Sequence, residues 1–247
     1  MTDPLFLAEF GNVAIGDAIE LTGAEARHAV RVKRIKVGET VLIADGNGNL
    51  ARGRVTHTEP TSLRMEVADV TRPKESPYEV VAVQALAKGD RSELAVAMLT
   101  ELGATSILAW QANRCVVRWQ GERGAKALRR WQATAREAAK QSRRPLIPQV
   151  SAADTQAVAQ AISSADLALV LHEGSPHHIG KEVLPSTGRI VVIVGPEGGI
   201  SPGELKTFTD AGAHAVAISD GVLRTSTAGA IALGQLGVLA NRGSGPA

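Results

Sequence analysis

The stretch Ile190–Glu204, with the sequence IVVIVGPEGGISPGE, contains the clearest structural signal in the chain. Five consecutive β-branched residues, Ile190–Val194, are typical of a strand that is buried on both faces of a parallel sheet. A glycine turn follows, and then Ser201, Pro202 and Glu204 stand where an N-cap, a first helical residue and a capping-box partner are expected. The stretch therefore predicts a strand that ends in a tight turn and leads directly into a helix.

Similar segments alternate after about residue 80. Apolar runs predict strands, and segments with apolar residues at helical spacing, such as Leu94, Met98 and Leu102, predict helices between them. This alternation predicts an α/β domain with a mostly parallel sheet, whose ligands bind outside the carboxyl ends of the strands. The predicted strands are Val80–Ala87, Ile107–Trp110, Leu167–Leu171, Ile190–Val194 and Ala215–Ile218, and the predicted helices are Ser92–Gly103, Glu122–Ser142, Thr155–Ser163, Pro202–Ala211 and about Thr225–Ala240.

The chain before this point shows short apolar runs separated by turns. The segment Asp45–Asn49 contains an Asp-Gly and an Asn-Gly pair, which favour β-hairpins. We therefore predict a small β-barrel-like domain, with the basic segment Glu25–Lys36 as a helix or turn on its rim. The prolines and charges of Thr71–Pro77 indicate a linker, so the predicted domains are residues 1–72 and 73–247.

Composition excludes several classes of protein. The chain has 247 residues, of which 44% are apolar and 21% charged, and this suits a globular protein with a core. It has no run of the roughly 18 apolar residues that a membrane helix needs, and its N-terminus lacks the pattern of a signal peptide. The single cysteine, Cys115, excludes an internal disulfide framework and favours a cytoplasmic protein. The six histidines show no metal-ligand spacing, so no metal site is predicted.

The net charge of +2 conceals two basic segments. Residues 114–144 contain ten Lys or Arg against two Glu, and residues 22–36 contain five against one. Clustered cations are typical of a surface that binds the phosphates of a nucleic acid. The alternative is a pair of solvated helix faces, but two separate clusters on a nearly neutral chain favour a polyanionic partner.

The loop Gly195–Ser201 follows a predicted strand and could bind a ligand. Gly198 and Gly199 allow a ligand to approach the backbone closely, and Glu197 suits a ribose hydroxyl or an ammonium better than a phosphate. Neither GxGxxG nor GxxxxGK[ST] occurs, so the phosphate loops typical of NAD- and ATP-binding proteins are absent from the sequence.

A second loop runs from the predicted strand Ala215–Ile218 into the last predicted helix. Arg224 is the only Lys or Arg between Lys206 and Arg242. At such a junction an arginine either pairs with a carboxylate, such as that of Asp220, or holds an anion or a developing negative charge beside a ligand.

The two loops together resemble those of the SPOUT class of S-adenosylmethionine-dependent RNA methyltransferases. The matching motifs are GPEGGISPGE at Gly195–Glu204 and LRTSTA at Leu223–Ala228. Further segments extend the resemblance over almost the whole length to the bacterial ribosomal RNA small subunit methyltransferase E family, whose members make N3-methyluridine in 16S rRNA. These segments are HAVRV at His28–Val32, ALAKGDR at Ala85–Arg91, TELGA at Thr100–Ala104, NRC at Asn113–Cys115, RW at Arg130–Trp131 and EAAKQSRRP at Glu137–Pro145.

The resemblance implies a C-terminal α/β domain whose last helix is threaded into a trefoil knot, preceded by a PUA-like β-barrel domain, in a homodimer. It implies S-adenosylmethionine as the cofactor, held largely by backbone groups. Ser226 replaces a usual acidic residue and Asp220 a common leucine, but neither change removes a backbone contact. The residues implied in cofactor binding are Leu171, His172, Glu173, Gly195, Pro196, Glu197, Gly198, Gly199, Ile218, Ser219, Leu223, Arg224, Thr225, Ser226, Thr227 and Ala228.

Methylation of uracil N3 requires the loss of the N3 proton, which leaves negative charge on the ring. We hypothesise that Arg224 stabilises this charge and that a carboxylate, Glu101 or Glu197, or a backbone group helps to remove the proton. His172 is an alternative base, although a lone histidine at a strand end is more often a hydrogen-bonded structural residue.

The expected partner is 16S rRNA or the small ribosomal subunit. A SPOUT methyltransferase that acts on tRNA or at another position, and a non-catalytic RNA-binding assembly factor, are alternative functions. A dinucleotide-dependent oxidoreductase is disfavoured by the missing phosphate loops. The residues expected to bind RNA are Arg27, His28, Arg31, Arg34, Lys88, Arg91, Arg114, Arg118, Arg129, Arg130, Arg143 and Arg144.

Overall fold

The computed structural model describes residues 3–72 and 77–243, which fold as two compact units. The first unit comprises residues 1–76 and 139–147, and the second comprises residues 77–138 and 148–247. The first unit thus includes a segment that follows much of the second unit along the chain. The predicted linker Thr71–Pro77 lies partly outside the described residues.

The first unit is built on a mixed five-stranded sheet. Its strands are β1 (Leu5–Leu7), β2 (Ala18–Thr22), β3 (Thr40–Ala44), β4 (Leu50–Glu59) and β5 (Ser62–Thr71). The strand order is β1-β3-β4-β5-β2, in which β1 is parallel to β3 and the other pairs are antiparallel. Helix α1 (Gly23–Arg27) and a π-helical turn (His28–Val32) follow β2, so the predicted basic segment is largely helical.

Local side-chain hydrogen bonds form the predicted turn between β3 and β4. The Asp45 carboxylate accepts the N–H groups of Asn47 at 2.8 Å and of Asn49 at 3.0 Å. Such bonds satisfy backbone N–H groups that have no partner strand where the chain reverses direction. The core of this unit contains the fully buried side chains of Phe6, Leu21, Ile43, Leu63 and Met65.

The second unit is built on a six-stranded sheet with the order β11-β9-β10-β6-β7-β8. Its strands are β6 (Tyr78–Ala85), β7 (Ser106–Trp110), β8 (Gln149–Ala153), β9 (Leu167–Leu171), β10 (Gly188–Val194) and β11 (His214–Val216). Its helices are α2 (Arg91–Glu101), α3 (Gly121–Ser142, ending in the first unit), α4 (Thr155–Ser163), α5 (Pro202–Asp210) and α6 (Thr225–Gly243). Every neighbouring pair is parallel, so the predicted α/β class with a mostly parallel sheet is confirmed.

Helix α2 buries a different face from the predicted one. Leu94 is 51% exposed, Leu102, just beyond the helix, is 43% exposed, and Met98 is only partly buried. The side chains that face the core are those of Ala95, Val96 and Leu99. The helix packs against α6, and the small alanine side chain allows the two helices to approach closely. Close packing between the helices, rather than the presence of the largest apolar side chains, therefore decides which face of α2 is buried.

Helix α6 returns from the edge strand β11 to the middle of the sheet. It packs against β10, β6 and α2, and its buried residues include Ala232, Leu233 and Leu236. This path places the start of α6 beside the end of β10, and the trefoil knot implied by the resemblance stays a prediction.

Candidate active site

A cavity of about 300 Å³ lies at the carboxyl ends of β9, β10 and β11. Parallel α/β sheets hold their ligands at this edge. Parts of three loops form the walls, within residues 171–173, 194–200 and 218–225, and Arg91 and Ala228 complete them. The volume is at the lower end of the range for pockets that bind a small-molecule ligand.

The loop that joins β10 to α5 depends on two glycines. At Gly198 a β-carbon would lie 3.2 Å from Cβ of Arg114 and 3.3 Å from its carbonyl oxygen, which is tighter than ordinary contact. Gly199 has a φ of +72°, in the left-handed region that glycine adopts without strain. The Arg114 guanidinium donates to the Gly198 carbonyl at 3.1 Å and so ties this loop to the segment after β7.

Glu204 holds the end of the same loop from the first turn of α5. It is 2% exposed, and its carboxylate accepts the N–H of Ser201 at 3.0 Å and the N–H of Asn113 at 2.7 Å. Ser201 in turn accepts the N–H of Glu204, which completes a capping box with Pro202 in the first turn. The helix start predicted from the sequence is confirmed, because all its signals lie within one helical turn.

Hydrogen bonds from α6 fix the second loop of the cavity. The Thr225 hydroxyl donates to the carbonyl of Gly195, which joins the start of α6 to the end of β10. Further along α6, the Gln235 side chain donates to the carbonyl of Ile218 at 3.0 Å. Both ends of the loop are therefore held by the same helix.

Arg224 stands immediately before α6 and lines the cavity. Its carbonyl accepts the N–H groups of Thr227 at 2.8 Å and Ala228 at 3.0 Å, while its side chain is exposed. Within residues 3–72 and 77–243 no carboxylate forms an ion pair with the guanidinium, and this includes Asp220, the alternative partner considered from the sequence. The charge of Arg224 is therefore available to a ligand.

His172 on the third wall already uses one ring nitrogen. Its Nδ1 accepts the N–H of Gly174 at 3.1 Å, and its own backbone N–H donates to Val216. Nδ1 is therefore occupied by a backbone donor and fixes the orientation of the ring. This arrangement favours the structural role over the role of general base.

The cavity brings together most of the residues expected from the sequence. Those that line it are Leu171, His172, Glu173, Gly195, Pro196, Glu197, Gly199, Ile218, Ser219, Leu223, Arg224, Thr225 and Ala228. Gly198, Ser226 and Thr227 lie outside the lining, because Gly198 faces Arg114 and Ser226 is buried. The lining also contains Val194, Ile200, Gly221 and Val222, which sequence reasoning passed over although they lie within or beside the quoted motifs.

Two residues occupy places other than those expected. Arg91, expected to bind RNA, lines the cavity because α2 begins directly after the loop that follows β6. Glu101, expected as a catalytic base, lies at the opposite end of α2, about 15 Å along the helix axis at 1.5 Å per residue. Within one chain Glu101 is not among the residues that line the cavity, and its role as a base stays a prediction.

Several cations of the second unit have partners within it. Besides Arg114, Arg118 donates to the carbonyls of Ala112 and Asn113 at 3.1 and 2.7 Å, and Arg130 pairs with Glu93 at 2.9 Å. These arginines brace loops and helices in addition to any contact with RNA. The remaining expected cations of this unit with exposed side chains are Lys88, Arg91 and Arg129.

In the first unit, Arg27 and Arg31 are exposed on the helical segment after β2, and Arg34 is exposed two residues beyond its end. His28 is half-buried and packs edge-to-face against Phe6 with ring centroids 6.3 Å apart. Of the later residues of this unit, Arg143 is exposed, whereas partial burial lowers the pKa of the Arg144 guanidinium. His28 and Arg144 therefore contribute to packing, while the other cations face solvent.

The only cysteine lies near the cavity but is unsuited to nucleophilic chemistry. Burial raises the pKa of the Cys115 thiol and outweighs the lowering by backbone hydrogen bonds and by Arg118, while the negative charge of Glu197 adds a smaller increase. A thiol that stays protonated is a poor nucleophile.

Residues 3–72 and 77–243 contain neither a metal-binding cluster nor a membrane-spanning helix. Among them, no group of three or more His, Cys, Asp and Glu side chains is arranged to hold a metal ion. Within the same residues, no helix combines the length and the apolar character that a bilayer crossing requires.

Comparison with known families defines the class of protein. The family profile described as RNA methyltransferase domain matches residues 74–237, and that of the RNA methyltransferase PUA domain matches residues 21–67. Together with the cavity at the carboxyl edge of the parallel sheet, these matches define an RNA methyltransferase with a PUA domain.

Individual relatives narrow the class. The chain is 44% identical over 241 residues to ribosomal RNA small subunit methyltransferase E of Mycobacterium tuberculosis (strain CDC 1551 / Oshkosh), covering 96% of this chain and 90% of the relative. It is 29% identical to the Bacillus subtilis (strain 168) enzyme of the same name over 87% of this chain and 88% of that one. A crystal structure of ribosomal RNA small subunit methyltransferase E from Neisseria gonorrhoeae, bound to S-adenosyl methionine, has a TM-score of 0.83 at 29% identity, covering 96% and 98% of the two chains. This chain belongs to the ribosomal RNA small subunit methyltransferase E family, which confirms the predicted family.

Proposed function

We propose that this protein transfers the methyl group of S-adenosylmethionine to N3 of a uridine in 16S rRNA, in the cytoplasm. The observation that carries the proposal is the Arg224 guanidinium, which lines the ligand cavity without an ion-pair partner among the described residues. A cation at this place suits a substrate that gains negative charge as it reacts. The names of the relatives support a ribosomal RNA substrate.

The residues of the cavity fit S-adenosylmethionine. Backbone groups of the two glycine-containing loops face the space, apolar side chains such as Ile200 and Leu223 suit an adenine ring, and the carboxylates of Glu173 and Glu197 suit an ammonium or ribose hydroxyls. When bound, the cofactor supplies an electrophilic methyl group. The remaining tasks, which are to orient the uracil and to favour its deprotonated form, belong to the protein.

Arg224 and Glu197 divide these tasks in our proposal. Arg224 donates hydrogen bonds to a uracil oxygen and stabilises the charge left on the ring, and Glu197 accepts the N3 proton. Both side chains are exposed at the cavity, so a nucleotide in solution can reach them. Glu101 does not line the cavity within one chain, so the proposal assigns the proton to Glu197.

Methylation of small ribosomal subunits and of free 16S rRNA with radiolabelled S-adenosylmethionine, followed by mass spectrometry of the nucleosides, tests the function. N3-methyluridine is the expected product. Another methylated nucleoside, or activity on tRNA alone, would favour the second methyltransferase function. Failure of the protein to bind S-adenosylmethionine in isothermal titration would favour the non-catalytic assembly factor.

Substitution of Arg224 tests the assignment of roles. Removing one charge-stabilising donor typically lowers kcat by about 100- to 1,000-fold, and we expect this of Arg224→Ala while the Kd for S-adenosylmethionine changes little. Arg224→Lys is the matched control, since it keeps the charge but loses the planar fork of donors, and an intermediate kcat is expected. A fully active Arg224→Ala protein would reject the assignment.

We also propose that exposed cations of each unit bind RNA phosphates, with residues 1–72 as the RNA-binding domain and residues 73–247 as the methyltransferase domain. Arg27, Arg31 and Arg34 of the first unit and Lys88, Arg91 and Arg129 of the second are exposed, and clustered cations of this kind attract polyanions. Folded RNA is recognised largely through its shape and phosphates, which suits a chain with only seven aromatic residues of the Phe, Trp and Tyr types.

A homodimer is part of the same proposal. Leu94 on α2 and Val238 on α6 are 51% and 54% exposed, and the neighbouring α6 positions Ile231, Gly234 and Gly237 are exposed as well. Exposed apolar side chains beside glycines suit close packing of helices from a second copy. Sedimentation equilibrium should give a dimer for the natural chain and a monomer for a Leu94→Glu/Val238→Glu variant, and a monomeric natural chain would contradict the proposal.

A further inference from the structure

Gln84 is a polar residue in the most apolar part of the second unit. It precedes the last residue of β6 and lies between Val194 of β10 and Ala109 of β7 in the register of the sheet. Gln84 is only 1% exposed. A buried amide is unfavourable unless hydrogen bonds replace its contacts with water, so its partners indicate why an amide stands there.

The amide begins a directed chain of hydrogen bonds. Nε2 of Gln84 donates to the Thr225 hydroxyl at 3.2 Å, and that hydroxyl donates to the Gly195 carbonyl. Nε2 also lies 3.1 Å from the carbonyl of Ala85 and 3.4 Å from that of Thr225. Because Nε2 faces three acceptors, the donor end of the amide is the end that points to the start of α6.

The opposite end of the amide is also informative. Oε1 has no hydrogen-bond partner within the described part of the chain and lies on the side of Gly229, where a β-carbon would be 3.7 Å from it. An amide that leaves one buried acceptor unsatisfied carries a penalty. The hydrogen bonds of Nε2 offset this penalty. Through Thr225, the first residue of α6, they join the ends of two strands.

We propose that Gln84 is a positioning residue for the methyl-transfer step, which sets the place of Arg224 through Thr225. Arg224 directly precedes Thr225, and Thr225 is bonded both to Gln84 and to Gly195 at the start of the cofactor loop. The chain of bonds therefore fixes the distance between the loop that binds the cofactor and the loop that bears the arginine. This inference rests on the proposed function of Arg224.

Breaking the hydrogen bonds that join Gln84, Thr225 and Gly195 should lower the methyl-transfer rate more than the affinity for the cofactor. A displacement of about 1 Å at a reacting centre can lower the rate about 100-fold even when the altered residue is remote from the chemistry. Cofactor affinity is spread over three loops of the cavity, so it should respond less. Gln84→Met keeps the length of the side chain and removes the donor, and we expect it to lower the single-turnover rate about 10- to 100-fold.

A double-mutant cycle separates action through Arg224 from general damage. In an Arg224→Ala background, Gln84→Met should lower the single-turnover rate less than about threefold, since the group that it positions is absent. Equal effects in both backgrounds would overturn the proposal. So would an unchanged rate in Gln84→Met, or a Kd for S-adenosylmethionine that rises as much as the rate falls.

Thr100→Val is the matched control, because Thr100 is a fully buried hydroxyl of the same unit that donates only to Val96, at 2.8 Å. It should lower the unfolding temperature without a comparable loss of rate. If Gln84→Met fails to fold, the pair Thr225→Ser and Thr225→Val makes the same test. The serine keeps the hydroxyl and should retain most of the rate, whereas the valine should not, and equal rates for the two would overturn the proposal.

Hydrogen exchange gives a readout that does not depend on methyl transfer. The amides of Thr227 and Ala228 are bonded to the Arg224 carbonyl, and Gln84→Met should speed their exchange while Thr100→Val should not. Unchanged exchange would overturn the positioning role. Faster exchange combined with an inactive natural protein would instead refute the proposed methyltransferase function and leave the structural link between Gln84 and Arg224 established.

Discussion

Substitution of Glu204 by alanine should destabilise the second unit through the loop that it holds. The Glu204 carboxylate accepts the N–H of Asn113 at 2.7 Å and the N–H of Ser201 at 3.0 Å, and Thr155 donates to it at 3.4 Å. A hydrogen bond to a charged group contributes about 1.5–3 kcal/mol, and loss of a capping interaction costs about 1 kcal/mol. Because water can reach part of the exposed loop in the variant, we expect a net loss of about 3 kcal/mol in the free energy of unfolding.

Thermal unfolding followed by circular dichroism measures this loss. For a chain of this length, 3 kcal/mol corresponds to a Tm lower by about 6–12 °C. Glu204→Gln keeps one acceptor oxygen and places an amide N–H₂ against the other donors, so it should lose about half as much.

A variant in the same helix provides the control. Lys206 pairs with Asp210 at 2.7 Å, but both side chains are more than 60% exposed. Lys206→Ala should therefore change the free energy of unfolding by less than about 1 kcal/mol. If the free energies of unfolding of Glu204→Ala and Lys206→Ala differed by less than about 0.5 kcal/mol, the buried carboxylate would not hold the loop and the reasoning would be refuted.

Three further predictions concern single residues. Gly53→Ala should destabilise the first unit by about 3 kcal/mol or more, since a β-carbon would lie 2.1 Å from the Glu66 carbonyl across the β4–β5 pair; urea unfolding measures this, and a loss under about 1 kcal/mol would contradict it. Because burial raises its pKa, Cys115 should react with a thiol reagent near neutral pH much more slowly in the folded chain than in urea, with faster reaction only as the pH rises; equal rates would show an accessible thiolate. Arg31→Gln should reduce the slope of log Kd for RNA against log salt by about 0.7–0.9, and a slope equal to that of the natural chain would exclude Arg31 from phosphate contact.

Segments that determine their own conformation were predicted correctly. The five-residue apolar run of β10 is a signal in contiguous residues, and the capping box at Ser201 is formed by residues within one helical turn. The turn at Asp45 is similar, since its carboxylate bonds to amides two and four residues later. In each of these segments the residues that carry the signal are adjacent in sequence.

Three strands escaped prediction because their stability comes from distant partners. In β8 only Val150 and Ala153 are buried, so the segment has no apolar run. Its strand conformation depends on pairing with β7, about 40 residues earlier in the chain. β1 has only three residues and pairs with β3, and β2 is an edge strand paired with β5.

The active-site prediction shows the same division. The two cavity loops were expected because each carries its own motif and because strand ends in a parallel sheet meet at one edge. Arg91 lines the cavity, although it was expected to bind RNA, and Glu101 does not line it. The two residues occupy opposite ends of α2, and only the direction of the helix decides which end faces the cavity. Gln84 gave no signal, because the Thr225 hydroxyl to which it donates is 141 residues away in the chain.

The sequence by itself determined the α/β class, the helix start after β10, the two loops with their glycines and Arg224, and the family resemblance, since each of these is encoded in contiguous residues. The tertiary structure alone decided which face of α2 is buried, which cations are already bonded within their unit, that Arg91 rather than Glu101 lines the cavity, and that Gln84 joins β6 to the start of α6. These features depend on packing and hydrogen bonds between segments far apart in the chain, and neither periodicity nor a local motif records such contacts.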